Sequence, residues 1–116
     1  MIKYEIEIEP EIIPIHGNLI VSGDDEFDNK MEDEVLNRTE HDQWAWCSIK
    51  VTASYSGYTG VAYLGCCNYD NSEGKAEEQF RADHYEDMKQ EARDDLLDRL
   101  DEAQTAYREL KEAGFV

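Results

Sequence analysis

Residues 2 to 9 alternate strictly between apolar and polar side chains. One side carries the apolar residues Ile2, Tyr4, Ile6 and Ile8, and the other carries lysine and glutamate. A period of two residues is typical of a half-buried strand, so the pattern predicts a first strand here. The connection that follows, residues 10–23, is marked by two prolines and by the pair Gly17-Asn18.

The period changes to that of a helix after Gly23. Ser22 or Asp24 can cap this helix, because both side chains accept hydrogen bonds from helix N–H groups. Its apolar residues recur at helical spacing and are Phe27, Met31, Val35 and Leu36. Acidic residues fill most of the other positions, so we expect them to form the solvent-exposed face of the helix.

Alternation returns in residues 44–55, and a turn at Ser56-Gly57 would fold this segment onto the next as a hairpin. Residues that lie directly opposite one another share a face of the sheet. The turn therefore predicts three apolar pairs, Val51 with Ala62, Ile49 with Leu64, and Cys47 with Cys66.

The segment 44–67 contains no acidic residue, although the chain contains 28. We interpret this as the consequence of a buried face, because unpaired carboxylates are costly in a core. The other face should place Trp44 and Trp46 near Tyr69 and Cys67, and Lys50 near Tyr63. This aromatic face is either covered by another element or available to a partner.

A helical pattern then runs from Ala76 to Ala113, and Gly114 is a suitable stop. At about 1.5 Å per residue such a helix is about 55 Å long, which exceeds strands of about 20 Å. We expect its end, residues 100–116, to project, break or pair with another chain.

The order β-α-β-β-α predicts one α+β domain over residues 1–116, with a small antiparallel sheet packed against an acidic helix and a long C-terminal helix.

The net charge of −17 over 116 residues is concentrated in two blocks. Residues 24–42 contain nine acids and two bases, and residues 73–102 contain twelve acids and five bases. Direct binding of nucleic acid is disfavoured, because phosphate contacts require lysine and arginine.

The second block has the charge spacing of a nucleic-acid mimic. Twelve acids over about 45 Å of helix give one charge per about 3.8 Å, close to the 3.4 Å of one DNA strand. The five bases reduce this similarity, and an ordinary solvated face is the alternative. Partner-binding residues predicted on this basis are Glu77, Asp83, Glu86, Asp87, Glu91, Asp94 and Asp98, with Trp44, Trp46 and Tyr69 as aromatic anchors.

Enzymatic and metal sites receive little support from the sequence. The histidines His16, His41 and His84 and the three cysteines lack metal-ligand spacing. Carboxylate pairs such as Asp83 with Asp87 could act as acid and base or hold Mg²⁺, but such pairs arise by chance among so many acids. We therefore assign no catalytic residue, metal ligand or cofactor, and we expect reduced thiols.

The N-terminal residues lack the features of a signal peptide, and no apolar run approaches about 20 residues. We therefore expect a soluble, cytoplasmic protein that does not bind membranes.

Three stretches of the chain carry a resemblance to a known group of proteins. They are PIHGN (14–18), WAWCSIKVTASYSGYTGVAYLGCCNY (44–69) and FRADHYEDMKQEA (80–92). Together they resemble small acidic proteins encoded by bacteriophages, prophages and mobile elements. The resemblance implies a context, since proteins of this kind are often inhibitors of host defence, such as anti-CRISPR or anti-restriction proteins, and some of these mimic DNA.

The leading hypothesis is a non-enzymatic inhibitor that binds a nucleic-acid-binding defence protein in the host cytoplasm through its acidic helices. One alternative is an oligomeric structural or accessory phage protein, for example a homodimer formed through the C-terminal helix. A metal-dependent enzyme built on the carboxylates is the third hypothesis.

Overall fold

The computed structural model describes all 116 residues and confirms the α+β class and the order β-α-β-β-α. Three strands form one sheet, and the long C-terminal helix consists of two α-helical segments joined by a π-helical turn. The elements are β1 (Lys3–Pro10), α1 (Asp25–Arg38), β2 (Cys47–Tyr55), β3 (Tyr58–Cys67), α2 (Ala76–Phe80), the π turn (Arg81–Tyr85) and α3 (Glu86–Glu112).

The sheet is antiparallel, and its strands lie in the order β1-β2-β3. The predicted pairs Val51 with Ala62 and Ile49 with Leu64 are confirmed, and Lys50 lies opposite Tyr63. The turn is also as predicted, because Ser56 and Gly57 both have positive φ, at 51° and 84°. A two-residue turn of this kind matches the twist of the two strands that it joins.

The predicted pair Cys47 with Cys66 is wrong, since Cys47 lies opposite Cys67. The register shifts between Cys47 and Ile49, and β3 accommodates one extra residue there. Cys66 takes the left-handed conformation, with φ of 55°, and its N–H donates to Oε2 of Glu11 at 2.7 Å. The carboxylate thus replaces the strand partner that the bulge removes.

One face of the sheet packs against the long helix and forms the main core. The helix contributes Ala76, Phe80, Met88, Ala92 and Leu96, all buried. At Gly60 the helix backbone lies so close that a Cβ atom would stand 2.1 Å from the Leu96 nitrogen and 2.3 Å from the Ala92 oxygen. The sequence therefore permits this packing only because Gly60 has no side chain.

Of the two predicted caps, Asp24 is the one that caps helix α1, since its carboxylate accepts the N–H of Phe27 at 3.2 Å. The predicted apolar face is only partly correct. Val35 is buried, but Phe27 and Leu36 are 45% and 56% exposed.

Two acids of α1 lie on its inner side, although the pattern predicted that the acids are solvated. Asp28 and Glu32 are each only 8% exposed. The connection formed by residues 10–23 lies against this side and supplies hydrogen-bond donors. The N–H and the hydroxyl of Ser22 donate to Asp28, and the N–H of Gly17 donates to Glu32. Buried carboxylates are stable where such donors satisfy them.

The end of α3 extends beyond the sheet. From Asp101 onwards every residue is exposed except Ala103, which is half-buried, and the longest dimension of the molecule is 67 Å. The helix ends at Glu112, and Gly114 follows the C-cap Ala113 as the predicted stop, with φ of 86°. The N–H of Phe115 donates to the Leu110 carbonyl at 2.9 Å.

Replacing Gly60 by alanine should destabilise the protein by about 3 kcal/mol, because the helix must move away from the sheet. Urea denaturation of the wild type and Gly60→Ala measures this difference. The matched control is Gly65→Ala on the same strand, where a Cβ would meet no backbone atom and its nearest neighbour is Oε2 of the Glu11 side chain at 3.1 Å. Equal losses of stability for the two variants would contradict the close approach.

Candidate partner-binding surface

Helix α3 is held in one orientation by its inner side. Besides its apolar residues, the Asp95 carboxylate accepts the N–H of Val61 on β3 at 2.9 Å. The Lys89 ammonium lies 4.8 Å from the centre of the Tyr4 ring on β1. These contacts reach two different strands, so the rotation of the helix about its axis is fixed.

The opposite side of α3 presents a stripe of carboxylates, which we call the acidic stripe. Its members are Asp87, Glu91, Asp94 and Asp98, all exposed and separated by four, three and four residues. That spacing places them on one helix face. Gln90 donates to Asp94 at 3.2 Å, and no lysine or arginine occupies the stripe. Four of the seven predicted acids are thus brought together.

The other three predicted acids lie outside the stripe. Glu77 forms an ion pair with Arg81 at 3.6 Å, which partly neutralises it. Glu86 is exposed but points about 100° away from Asp87 around the helix. Asp83 belongs to the π turn, which changes the phase of the helix before the stripe begins.

The charge density of the stripe is lower than the sequence predicted. Its four carboxylates, from Asp87 to Asp98, span 12 residues and are spaced by about 5.5 Å on average along the helix, whereas the charges of one DNA strand are spaced by about 3.4 Å. The prediction counted every acid from residue 73 to 102, including those paired with bases or with the backbone.

The three predicted aromatic anchors are not available at the surface. Trp44, Trp46 and Tyr69 are only 5%, 7% and 8% exposed. β2 begins at Cys47, so both tryptophans precede the strand and do not lie on its outer face. Residues 44–47 are all buried, although only Cys47 belongs to the strand. The apparent continuation of the strand pattern through these residues therefore reflects their burial at the end of the core.

These aromatics join the connections to the core. The Trp46 indole N–H donates to the Ile13 carbonyl at 2.7 Å, and Trp44 packs edge-on against Tyr69 with ring centres 6.0 Å apart. The Arg38 guanidinium donates to the Tyr69 carbonyl at 3.0 Å, which links α1 to the segment after β3. Their role in this structure is to close the end of the core.

A surface cleft of about 440 Å³ lies between the end of β3 and the π turn. Cys66, Asp83 and His84 line it, together with amide side chains such as Asn68 and Gln79. Periodicity does not predict this group, because the extra residue in β3 and the π turn together bring these side chains to one cleft.

The thiol of Cys66 is not activated as a nucleophile. Burial and the nearby Glu11 carboxylate raise its pKa, and this disfavours the thiolate that attacks substrates. Glu11 itself has a lowered pKa, because its carboxylate accepts the backbone N–H groups of Cys66 and Ile13. The surroundings of Cys66 therefore disfavour a thiolate in this cleft.

A carboxylate and a histidine fix the connection against α1. Glu32 accepts the N–H of Gly17 at 3.1 Å, and its other oxygen lies 2.8 Å from Nδ1 of His16. The hydrogen bond to Glu32 and the charge of its carboxylate raise the pKa of His16, and the same contacts lower the pKa of Glu32. Periodicity does not predict this contact, since it joins residues 16 positions apart.

No three side chains of histidine, cysteine, aspartate or glutamate converge in a geometry that could hold a metal ion. None of the helices is both long enough and apolar enough to traverse a bilayer.

Comparison with protein-family models, with curated proteins and with solved structures found no match for this chain.

The His16–Glu32 contact should give a measurable pH dependence. The raised His16 pKa contributes stability that is complete below about pH 6.5 and is lost as the pH rises through the folded pKa. The lowered Glu32 pKa contributes stability above about pH 4.5, lost as the pH falls. NMR titration of the His16 ring should show a midpoint above 6.5 in the wild type and a lower midpoint in Glu32→Gln. An unchanged midpoint in that variant would contradict the contact.

Proposed function

We propose that this protein is a non-enzymatic binding protein whose acidic stripe captures the basic surface of a nucleic-acid-binding protein. The observation that carries the proposal is the set of four exposed carboxylates on one face of a fixed helix, with no base among them. Basic nucleic-acid-binding grooves are lined with lysine and arginine, to which such a stripe is electrostatically complementary.

The physical chemistry of the chain favours this mode of binding. A net charge of −17 attracts a basic partner from a distance and speeds association, and this attraction weakens as salt screens it. The stripe lies on a helix fixed to two strands, so little conformational entropy is lost when the partner binds. Binding energy beyond electrostatics must come from other exposed groups, because the tryptophans are buried.

The biological context of the proposal is supported by the resemblance of three stretches to small acidic phage proteins. On that basis the partner is a host defence protein that binds DNA or RNA, as for anti-CRISPR and anti-restriction inhibitors, and the site of action is the host cytoplasm. The stripe then occupies a groove that nucleic acid would otherwise fill.

Affinity capture from a bacterial lysate tests the proposal. The tagged wild-type protein should retain a nucleic-acid-binding protein that is released by salt and is also displaced by added nucleic acid. The variant Asp87→Lys, Glu91→Lys, Asp94→Lys should reduce the captured amount at least about tenfold, because the stripe becomes basic.

The matched control reverses three exposed acids away from the stripe, Asp33→Lys, Glu34→Lys and Glu40→Lys, and changes the net charge equally. It should retain most of the captured protein. If both triple variants lose capture to the same extent, only net charge matters and the stripe is not the binding site. Capture that nucleic acid does not displace would also refute the proposal.

A further inference from the structure

The apolar face of α3 continues past the edge of the sheet. Met88, Ala92 and Leu96 are covered by the strands. The same face then carries Leu100, which is half-buried against the edge of the core, followed by Ala103, Tyr107 and Leu110, and we call these four residues the terminal seam. Its members are three, four and three residues apart, the spacing of a coiled-coil seam. Tyr107 and Leu110 are 55% and 49% exposed.

The positions that flank the terminal seam carry no acid. On one side they are Leu97, Gln104 and Lys111, and on the other side Arg99, Ala106 and Ala113. The whole chain contains 28 acids and 11 bases. A second copy that packs on the terminal seam therefore avoids carboxylates at the flanking positions. The acidic stripe lies on the opposite side of the helix.

We infer that the terminal seam pairs with the same seam of a second copy, in antiparallel orientation. This alignment places Leu100 opposite Leu110 and Ala103 opposite Tyr107, so a small side chain faces a large one in two of four layers. Lys111 then faces Leu97, and Arg99 faces Ala113, so no like charges meet across the flanks.

The covered part of the face excludes the parallel orientation. A parallel second helix would continue along the face that holds Met88, Ala92 and Leu96, where the sheet already packs. An antiparallel helix instead leads away from the sheet of the first copy. Only residues 97–113 can then overlap, over about 24 Å, so the dimer interface is small.

Self-association and partner capture respond to salt in opposite directions. Two chains of −17 repel one another, and salt screens this repulsion, so dimerisation strengthens as salt is added. Capture of a basic partner weakens under the same change. The two proposals can therefore fail independently.

Sedimentation of the full chain at about 0.05 M and about 0.5 M NaCl tests the inference. We expect a monomer–dimer equilibrium that shifts towards the dimer at the higher salt. Leu110→Glu, which places a carboxylate in the seam, should raise the dimer Kd at least about tenfold, while circular dichroism shows that its fold is kept.

The matched control is Thr105→Glu, which adds the same charge on the opposite side of the helix. Its Kd should stay within about twofold of the wild-type value, because the added charge is distant from the interface. A wild-type chain that remains monomeric at both salt concentrations would overturn the inference. Equal weakening by the two substitutions would overturn it as well.

Disulfide formation tests the orientation. Chains carrying Arg99→Cys, mixed with chains carrying Ala113→Cys, should form mixed cross-linked dimers, since these positions face one another across the antiparallel pair. Wild-type chains measure the background from the native cysteines. Mixed dimers that do not exceed that background would contradict the inference.

Discussion

The close approach of α3 to β3 at Gly60 is the contact on which the rest of the structure depends. There the helix backbone at Ala92 and Leu96 occupies the space that a side chain on the strand would need. The contact fixes which helix face is buried, and therefore which face is exposed. The position of the acidic stripe is thus decided by a glycine on the other side of the helix.

The acidic side chains of this protein have a structural role as well as an electrostatic one. Seven carboxylates accept backbone N–H groups in caps, loops and strand edges, and they are Glu11, Asp24, Asp28, Glu32, Asp42, Asp70 and Asp95. Several of these bonds join distant parts of the chain, as Glu11 does with Cys66 and Asp42 with Asn71. Hydrogen bonds to charged acceptors are stronger than neutral ones. Hydrogen bonds from backbone N–H groups to carboxylates therefore hold much of the connecting segments in position.

Periodicity predicted what depends on local spacing, and long-range contacts account for what it missed. The strands, the hairpin turn, the Asp24 cap and the Gly114 stop follow from residues a few positions apart. The pairing of Cys47 did not, because the extra residue in β3 is stabilised by Glu11, 55 positions away. The candidate site was predictable only in part. Linear charge spacing predicted seven acids, of which four form the acidic stripe. The burial of Trp44 and Trp46 depends on where the connection passes.

The two faces of the long helix differ because the sheet covers only part of its length. Strand β3 spans 10 residues, or about 33 Å, whereas the helix from α2 to α3 extends over about 55 Å. Where the sheet supplies a partner, the inner face is buried and the acids crowd onto the outer face. Beyond Asp101 the inner face keeps its apolar spacing but loses the sheet, and over residues 103–116 two bases balance two acids. Apolar spacing together with balanced charge, in a chain that is otherwise strongly acidic, is the composition required for contact with another chain of the same sign.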